Sequence, residues 1–116
     1  YATYFENGVK ETEGENKNGV IHGINKIYYS SGVLSFEGVY DQGELQGKAI
    51  SYYEQGNQKG VFYYNKGKKQ GGYTLYYPQG TKQEESVVNN ELLTQTVTYY
   101  YQTGTPQRIE NKVRED

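Results

Sequence analysis

The chain has 116 residues, 34% of them hydrophobic, and a formal net charge of −2 with acidic and basic residues interspersed. This balance gives the chain no long-range electrostatic field to attract nucleic acids or anionic membranes, and the clustered lysine and arginine that nucleic-acid binding needs are not matched by the negative net charge. The absence of cysteine excludes a disulfide framework and a thiolate zinc site, and no apolar run approaches the roughly 20 residues of a membrane-spanning helix.

Pairs of adjacent aromatic residues recur every 24 residues, and a glycine follows each pair at the same offset. Such uninterrupted self-similarity predicts a repeat array rather than a domain around one central core. We expect a single array over residues 1–116, with units at about 4–27, 28–51, 52–75 and 76–99 and a partial, capping unit at 100–116. The pairs are Tyr4-Phe5, Tyr28-Tyr29, Tyr52-Tyr53, Tyr76-Tyr77 and Tyr100-Tyr101, and the glycines are Gly8, Gly32, Gly56, Gly80 and Gly104.

Two kinds of turn signal alternate along each unit, with β-favouring residues between them. Asn-Gly is the strongest short-range hairpin signal, because a type I′ turn needs positive φ at both central residues. The prediction is therefore all-β: an elongated antiparallel β-meander of stacked hairpins joined by two-residue turns. The first kind of turn is Asn7-Gly8, Ser31-Gly32, Gln55-Gly56, Gln79-Gly80 and Thr103-Gly104, and the second is Asn18-Gly19, Gln42-Gly43 and Lys66-Gly67.

Two-residue turns also predict which residues face each other across the strands. Facing glycines would leave a hollow in the sheet that a neighbouring aromatic ring covers. Glutamates are also predicted to face lysines across the strands. This pairing explains the recurrence of Glu13 and Glu37 better than an acidic catalytic pair does. The predicted partners are Tyr29 and Leu34, Tyr28 and Ser35, Ile27 and Phe36, Lys26 and Glu37, Glu37 and Lys48, Gly14 and Gly23, and Gly38 and Gly47.

Alternation along a strand separates the two members of each aromatic pair onto opposite faces. The second members are predicted to form the core with Ile27, Leu34, Phe36, Leu75 and Tyr99. The first members are the predicted binding surface, because tyrosine is enriched at interfaces. The alternative is that both columns pack as structure. The predicted binding residues are Tyr4, Tyr28, Tyr52, Tyr76 and Tyr100.

The remaining candidate sites are weak. The one basic cluster, Lys66, Lys68 and Lys69, could contact a phosphate or a phosphoinositide head group. A solvated turn is the better interpretation, because lipid recognition usually takes four to eight basic residues. His22 has no partners at metal-binding or catalytic spacing, and the acidic pair Glu84-Glu85 has no partner motif. We therefore expect no catalytic residue, metal or cofactor.

The end of the chain departs from the repeat. The segment 109–116 is compatible with a final strand, a short helix or a frayed end. The chain also contains no methionine, which suggests a fragment or processed form whose upstream segment is missing.

The element Tyr-Tyr-x-x-Gly-x-x-x-x-Glu-Gly-x-x-x-x-Gly-x-x-x-Gly spans residues 28–47 and nearly recurs over residues 4–23, with Phe5 in second place. This pattern resembles MORN-type repeats, and most closely the bacterial YwqK-type antitoxin family. One departure is that the place where the family often has tryptophan holds Asn25, Ala49, Tyr73 and Val97.

The resemblance implies a non-catalytic module that binds a protein partner, as a scaffold or in an antitoxin- or immunity-like role. The sequence predicts no single compartment: bacterial cytoplasm and cell envelope are both compatible with it. The alternatives are an array that binds cell-envelope polysaccharide or lipid head groups, and a structural spacer attached to another domain. Open strand edges at the two ends of the array would also permit edge-to-edge self-association.

Overall fold

The computed structural model describes residues 1–113 as one antiparallel sheet of eleven strands. The all-β meander is confirmed: strands follow each other in chain order, except that β7 is a short strand beside β6. No helix occurs within this range, so none could cross a membrane. The strands are β1 Ala2–Tyr4, β2 Lys10–Lys17, β3 Val20–Tyr28, β4 Leu34–Asp41, β5 Glu44–Tyr52, β6 Gln58–Asn65, β7 Lys68–Lys69, β8 Tyr73–Tyr76, β9 Lys82–Asn89, β10 Thr94–Tyr100 and β11 Pro106–Val113.

The predicted type I′ turns are confirmed at one end of the strands, where they lie side by side. Asn18, Gln42 and Lys66 have φ values of 54°, 52° and 50°, and each following glycine also has positive φ. Each turn bonds to the strand that follows the previous turn: the Gly43 amide donates to the carbonyl of Ile21, in β3, at 2.9 Å. The next turn repeats this bond 24 residues later, from the Gly67 amide to the Leu45 carbonyl, so these turns link each repeat to the next.

The turns at the opposite end of the strands are longer than predicted. The Tyr29 amide donates to the Val33 carbonyl at 2.8 Å, and the Gly32 amide donates back to the Tyr29 carbonyl. This encloses three residues, with glycine at the positive-φ position (φ 94°) of a bulged hairpin loop. Tyr29 therefore lies in the turn, and Tyr28 pairs with Leu34. The predicted pairs of Tyr29 with Leu34 and Tyr28 with Ser35 were wrong.

Beyond these turns the predicted register returns. Ile27 pairs with Phe36, and Lys26 pairs with Glu37, as predicted. Glu13 also pairs with Lys26, so this lysine lies between two carboxylates.

Bulges overturn the other predicted pairs. Between β4 and β5, three residues (46–48) stand opposite Val39 alone, because Gly47 adopts φ 100°. The register beyond the bulge shifts by two residues, which keeps every side chain on its own face. Glu37 consequently pairs with Ile50 rather than Lys48, and Gly38 pairs with Ala49 rather than Gly47.

The same bulge between β2 and β3 separates Gly14 from its predicted partner. Gly23 has φ 75° and pairs with Tyr40. Gly14 instead lies against Asn25, whose side-chain oxygen stands 1.7 Å from where a Cβ on Gly14 would be. The prediction that these glycines face each other was therefore wrong. An aromatic ring does cover Gly38, since the Phe36 ring would stand 3.1 Å from a Cβ added at Gly38, closer than an ordinary van der Waals contact.

The sheet is a single layer with little core. The molecule measures 45 × 34 × 14 Å, and the buried hydrophobic residues are Ala49, Val61 and Val97. Stability therefore rests on cross-strand contacts and on half-buried tyrosines rather than on a thick interior.

The C-terminal segment is a strand as far as the structure describes it. β11 runs antiparallel to β10 up to Val113, and the rest of the tail prediction lies outside the described residues. One turn earlier, between β9 and β10, glycine is absent and Leu93 takes the positive φ, at 54°.

Candidate interaction face

One face of the sheet carries the first tyrosine column; we call it the tyrosine face. Because side chains alternate along β3, Tyr28 shares this face with Lys26 and Ile24, whereas Asn25 and Ile27 lie on the opposite face. A continuous row of paired residues crosses the tyrosine face from strand to strand. In order it comprises Glu13, Lys26, Glu37, Ile50, Val61, Thr74, Glu85, Thr98 and Ile109.

Three of the first-column hydroxyls donate hydrogen bonds to glutamate side chains of the protein itself. Tyr28 donates a hydrogen bond to Glu13, and Tyr52 donates to Glu37 at 3.0 Å. Tyr100 repeats the contact with Glu85 at 3.3 Å. Each bond joins a tyrosine to a glutamate fifteen residues earlier, so the column ties one hairpin to the one before it.

These contacts shift proton affinities in the expected directions. The hydrogen bond to Glu13 raises the pKa of Tyr28 to about 12, because ionising the phenol would place two anions together. Burial, followed by the bond to Glu37, raises the pKa of Tyr52. The hydrogen bond from Lys10, at 2.7 Å, is the largest cause of the lowered pKa of Glu13.

Two members of the column differ. The position that would hold the acceptor for Tyr76 is Val61, and no hydrogen bond from the Tyr76 hydroxyl is found among residues 1–113. Tyr4, on the outermost strand, is 61% exposed, whereas Tyr28, Tyr52, Tyr76 and Tyr100 are half-buried.

The second column joins consecutive repeats through the turns. The hydroxyls of Tyr29, Tyr53 and Tyr77 donate to the carbonyls of the first tyrosine of the next pair, at 2.6, 2.8 and 2.6 Å. These rings are half-buried, like those of the first column. The expected contrast between a buried second column and an exposed first column is therefore absent. Phe5 has no hydroxyl, and Tyr101 is 51% exposed.

Exposed apolar side chains form a second feature of the tyrosine face, which the sequence reasoning missed. Ile24 is 57% exposed, Val39 39%, Tyr63 46% and Val87 61%. Ile24 pairs directly with Val39. A small cleft of about 160 Å³ lies between these two residues, Ile50, Glu37 and Lys48. The signal was present in the repeat, because positions 39, 63 and 87 are 24 residues apart and all apolar or aromatic.

Lys66, Lys68 and Lys69 line one surface cavity of about 390 Å³ together with Asn65, Gln70 and Asn90. Lys66 occupies a type I′ turn, Lys68 is exposed, and the Lys69 ammonium lies 4.4 Å from the centre of the Phe62 ring. A cation over an aromatic face is a stabilising arrangement in its own right.

The remaining ionisable candidates, His22 and the pair Glu84 and Glu85, each have different partners. The nearest ionisable partner of His22 is Asp41, with 3.7 Å between the imidazole Nδ1 and the carboxylate. Glu84 accepts from Tyr73, and Glu85 accepts from Tyr100 and Lys82. The described part of the chain holds no group of three residues suited to a metal ion.

A scan against protein-family models finds no family that matches this chain, and a search of curated proteins finds no match. The resemblance to MORN-type repeats is therefore carried by the residues and spacing of the chain alone.

Proposed function

We propose that the protein is a non-catalytic protein-interaction module that docks a partner on the tyrosine face. The observation that carries the proposal is the row of exposed apolar side chains at Ile24, Val39, Tyr63 and Val87. Folded proteins leave contiguous apolar surface exposed chiefly where something binds. These residues lie on β3, β4, β6 and β9, with Lys48 of β5 between Val39 and Tyr63. Such a spread suits an extended protein surface better than a small molecule.

The charges around the row support a protein partner. Lys26, Glu37 and Lys48 alternate beside the cleft between Ile24 and Val39. A charged rim around an apolar centre is typical of protein–protein interfaces, where the rim sets orientation and the centre supplies most of the affinity. The half-buried rings of Tyr28, Tyr52 and Tyr100 lie on the same face and are held in place by their glutamates, so little of their side-chain entropy is lost on docking.

The antitoxin-like role implied by the resemblance is one form of this function, in which the docked protein is a toxin and docking covers its active surface. A scaffold role would use the same face without inhibition. The two differ in whether the bound partner loses activity.

The test compares two isoleucines on one strand. Ile24 is 57% exposed on the tyrosine face, and Ile27 is 43% exposed on the opposite face. A partner is captured from native cells on immobilised protein, identified and purified, and its affinity is measured by calorimetry. We expect Ile24→Ser to weaken binding about 10-fold or more, as for a central interface residue, and Ile27→Ser to leave affinity unchanged.

Circular dichroism and thermal unfolding are used to check that both variants remain folded. Equal loss of affinity in the two variants, or no loss in either, contradicts docking on the tyrosine face. Substitution of the tyrosines themselves is less informative, because serine at Tyr28 or Tyr52 would also remove a bond to Glu13 or Glu37.

A further inference from the structure

One cleft of the molecule is lined by positive charge and by no acidic residue. It lies where the type I′ turn between β6 and β7 stands beside the turn between β9 and β10, and its volume is about 390 Å³. Lysines and side-chain amides form its walls, and we call it the lysine cleft. Its lining residues are Asn65, Lys66, Lys68, Lys69, Gln70 and Asn90.

The charges of the lysine cleft have no counterion within the described chain. The ion pairs among residues 1–113 involve other basic groups, namely Lys10, His22, Lys82, Arg108 and Lys112. The Lys69 ammonium stands over the Phe62 ring, and Lys66 and Lys68 are exposed. Like charges around one concave surface add their fields there, so the cleft attracts an anion.

The fold does not require lysine at these positions. The equivalent cleft one repeat earlier has Asp41 and Glu44 in its lining as well as Lys66. By the 24-residue period, Lys66 stands where that repeat has Gln42, and Lys68 stands where it has Glu44. The turn geometry is the same in both repeats, with φ values of 52° at Gln42 and 50° at Lys66. The lysines are therefore specific to one repeat, as expected of a recognition site rather than of the scaffold.

The lysine cleft adjoins the apolar row of the tyrosine face. Lys68 pairs with Asn65, which lies two residues after Tyr63 on β6 and therefore on the same face. Tyr63 is 46% exposed and pairs with Lys48 of β5. Lys48 also forms no ion pair among residues 1–113. An exposed ring thus stands between lysines whose charges are not neutralised by the described chain.

The glutamates that cross the tyrosine face are engaged by the protein itself. Glu37 accepts a hydrogen bond from Tyr52. Glu13 and Glu85 each accept from one tyrosine and one lysine. The charge that this surface leaves for a partner beside Tyr63 therefore comes from lysine.

From these positions we infer that the lysine cleft takes an acidic segment of the protein that docks on the tyrosine face. Glutamate or aspartate carboxylates of the segment lie against the lysines, and an apolar side chain lies against Tyr63. The inference rests on the proposed function, because the segment belongs to the docked protein.

The chemistry of the cleft favours carboxylates over the other common anions. Lysines on flexible stems, spread across an open cleft, suit several separate carboxylates. A single phosphate is held more specifically by the planar fork of arginine or by converging backbone amides, and the cleft is lined by no arginine. Recognition of an anionic membrane usually takes about four to eight basic residues, more than line this cleft.

The test uses two synthetic peptides capped at both ends. The acidic peptide has three glutamates on each side of two leucines, and the neutral peptide has glutamine in place of every glutamate. Fluorescence anisotropy of labelled peptide measures the affinity of each for the whole protein. We expect the acidic peptide to bind with a Kd below about 1 mM, the neutral peptide to bind more weakly, and the affinity of the acidic peptide to fall as salt is added.

Equal affinity for the two peptides, or no binding of the acidic peptide at about 1 mM, overturns the inference. Vesicles of phosphatidylserine and phosphatidylcholine, and inorganic phosphate, are tested as the other sources of negative charge. Binding of either at concentrations where the acidic peptide does not bind also overturns the inference, in favour of a phosphate-bearing ligand.

A matched pair of double variants locates the site. Lys66→Gln combined with Lys68→Gln is expected to weaken binding of the acidic peptide about 3- to 10-fold, the value of two exposed ion pairs. Lys17→Gln combined with Lys59→Gln removes the same charge outside the lysine cleft and is expected to leave the affinity unchanged. All four positions are exposed, and circular dichroism checks the fold. Equal loss in the two double variants overturns the inference, because it would show attraction to net charge alone.

The purified partner separates this inference from the proposed function. A partner whose affinity falls with Ile24→Ser but not with the Lys66 and Lys68 double variant overturns the acidic segment and leaves docking on the tyrosine face standing. A partner whose affinity falls with both supports the two together. Loss of affinity with the lysine variant alone supports an acidic segment in the cleft and contradicts docking on the apolar row.

Discussion

The hydroxyl of Tyr53 donates a hydrogen bond to the backbone carbonyl of Tyr76 at 2.8 Å, linking a turn of one repeat to the end of a strand in the next. The carbonyls of Tyr52 and Tyr100 accept the same bond at equivalent places. In a sheet without a second layer, such links supply the contacts between repeats that a core supplies elsewhere.

The first prediction follows from the one second-column residue that has no hydroxyl. Phe5 occupies the place of Tyr29 but has no hydroxyl. Phe5→Tyr should add a bond to the Tyr28 carbonyl and raise the free energy of unfolding by about 0.5–1.5 kcal/mol. Tyr53→Phe should lower it by a similar amount. Urea denaturation of both variants measures this, and a destabilising Phe5→Tyr would show that the first turn does not share the geometry of the others.

The second prediction concerns alkaline pH. The pKa of Tyr28 rises from 10.0 to about 12 in the folded state, so folding favours the protonated phenol. Its contribution to stability is complete below pH 10 and is lost as the pH rises from 10 to about 12. The difference in unfolding free energy between wild type and Tyr28→Phe should therefore shrink over this window. A difference that stays constant across it would mean that the phenol is not held by Glu13.

The third prediction concerns acid. The lowered pKa of Glu13 means that its contribution is present above its ordinary value of 4.5 and is lost as the pH falls through the depressed folded value. Glu13→Gln should remove this dependence and return the Tyr28 pKa toward 10.0. Ultraviolet titration of tyrosinate and thermal unfolding against pH measure the two effects. If the stability of Glu13→Gln falls at low pH as much as that of the wild type, other carboxylates cause the loss.

The turns show which parts of this fold follow from sequence and which do not. Asn18-Gly19 predicted a type I′ turn because few other residue pairs adopt two positive φ values cheaply. Ser31-Gly32 has the same appearance, yet its glycine supplies the single positive φ of a longer loop. Local composition fits both geometries, and the choice depends on how Tyr29 bonds to Val33 across the turn.

The bulges limited the prediction of register for a related reason. A glycine such as Gly47 in a strand is compatible with a hollow or with a bulge, and pairing with the neighbouring strand decides between them. Because the shift is two residues, the faces were nevertheless predicted correctly for Lys26, Tyr28 and Glu37. The tyrosine face was therefore visible in the sequence. Its apolar row was missed because Val39 and Tyr63 share a repeat position but not a residue type.

The fourth prediction tests the close approach of two strands at Gly72. A Cβ placed on this glycine would lie 2.1 Å from the carbonyl oxygen of Ser86, a backbone atom that can retreat only if β9 moves. Gly72→Ala should therefore lower the free energy of unfolding by about 1–3 kcal/mol, the usual cost of overpacking. Thermal unfolding measures the loss. Stability equal to wild type would mean that the two strands separate without cost at this point.

The last prediction uses the one first-column tyrosine whose acceptor position is apolar. Tyr52 donates to Glu37 at 3.0 Å, whereas the corresponding partner of Tyr76 is Val61. Tyr52→Phe removes a hydrogen bond to a carboxylate and should cost about 0.5–1.5 kcal/mol. Tyr76→Phe removes a hydroxyl that no described residue binds, so it should change stability by less than about 0.5 kcal/mol, as for an ordinary surface substitution. Both variants keep the ring, so packing is matched between them. Urea denaturation that gives equal losses would show that the glutamate contacts of the tyrosine face do not stabilise the sheet.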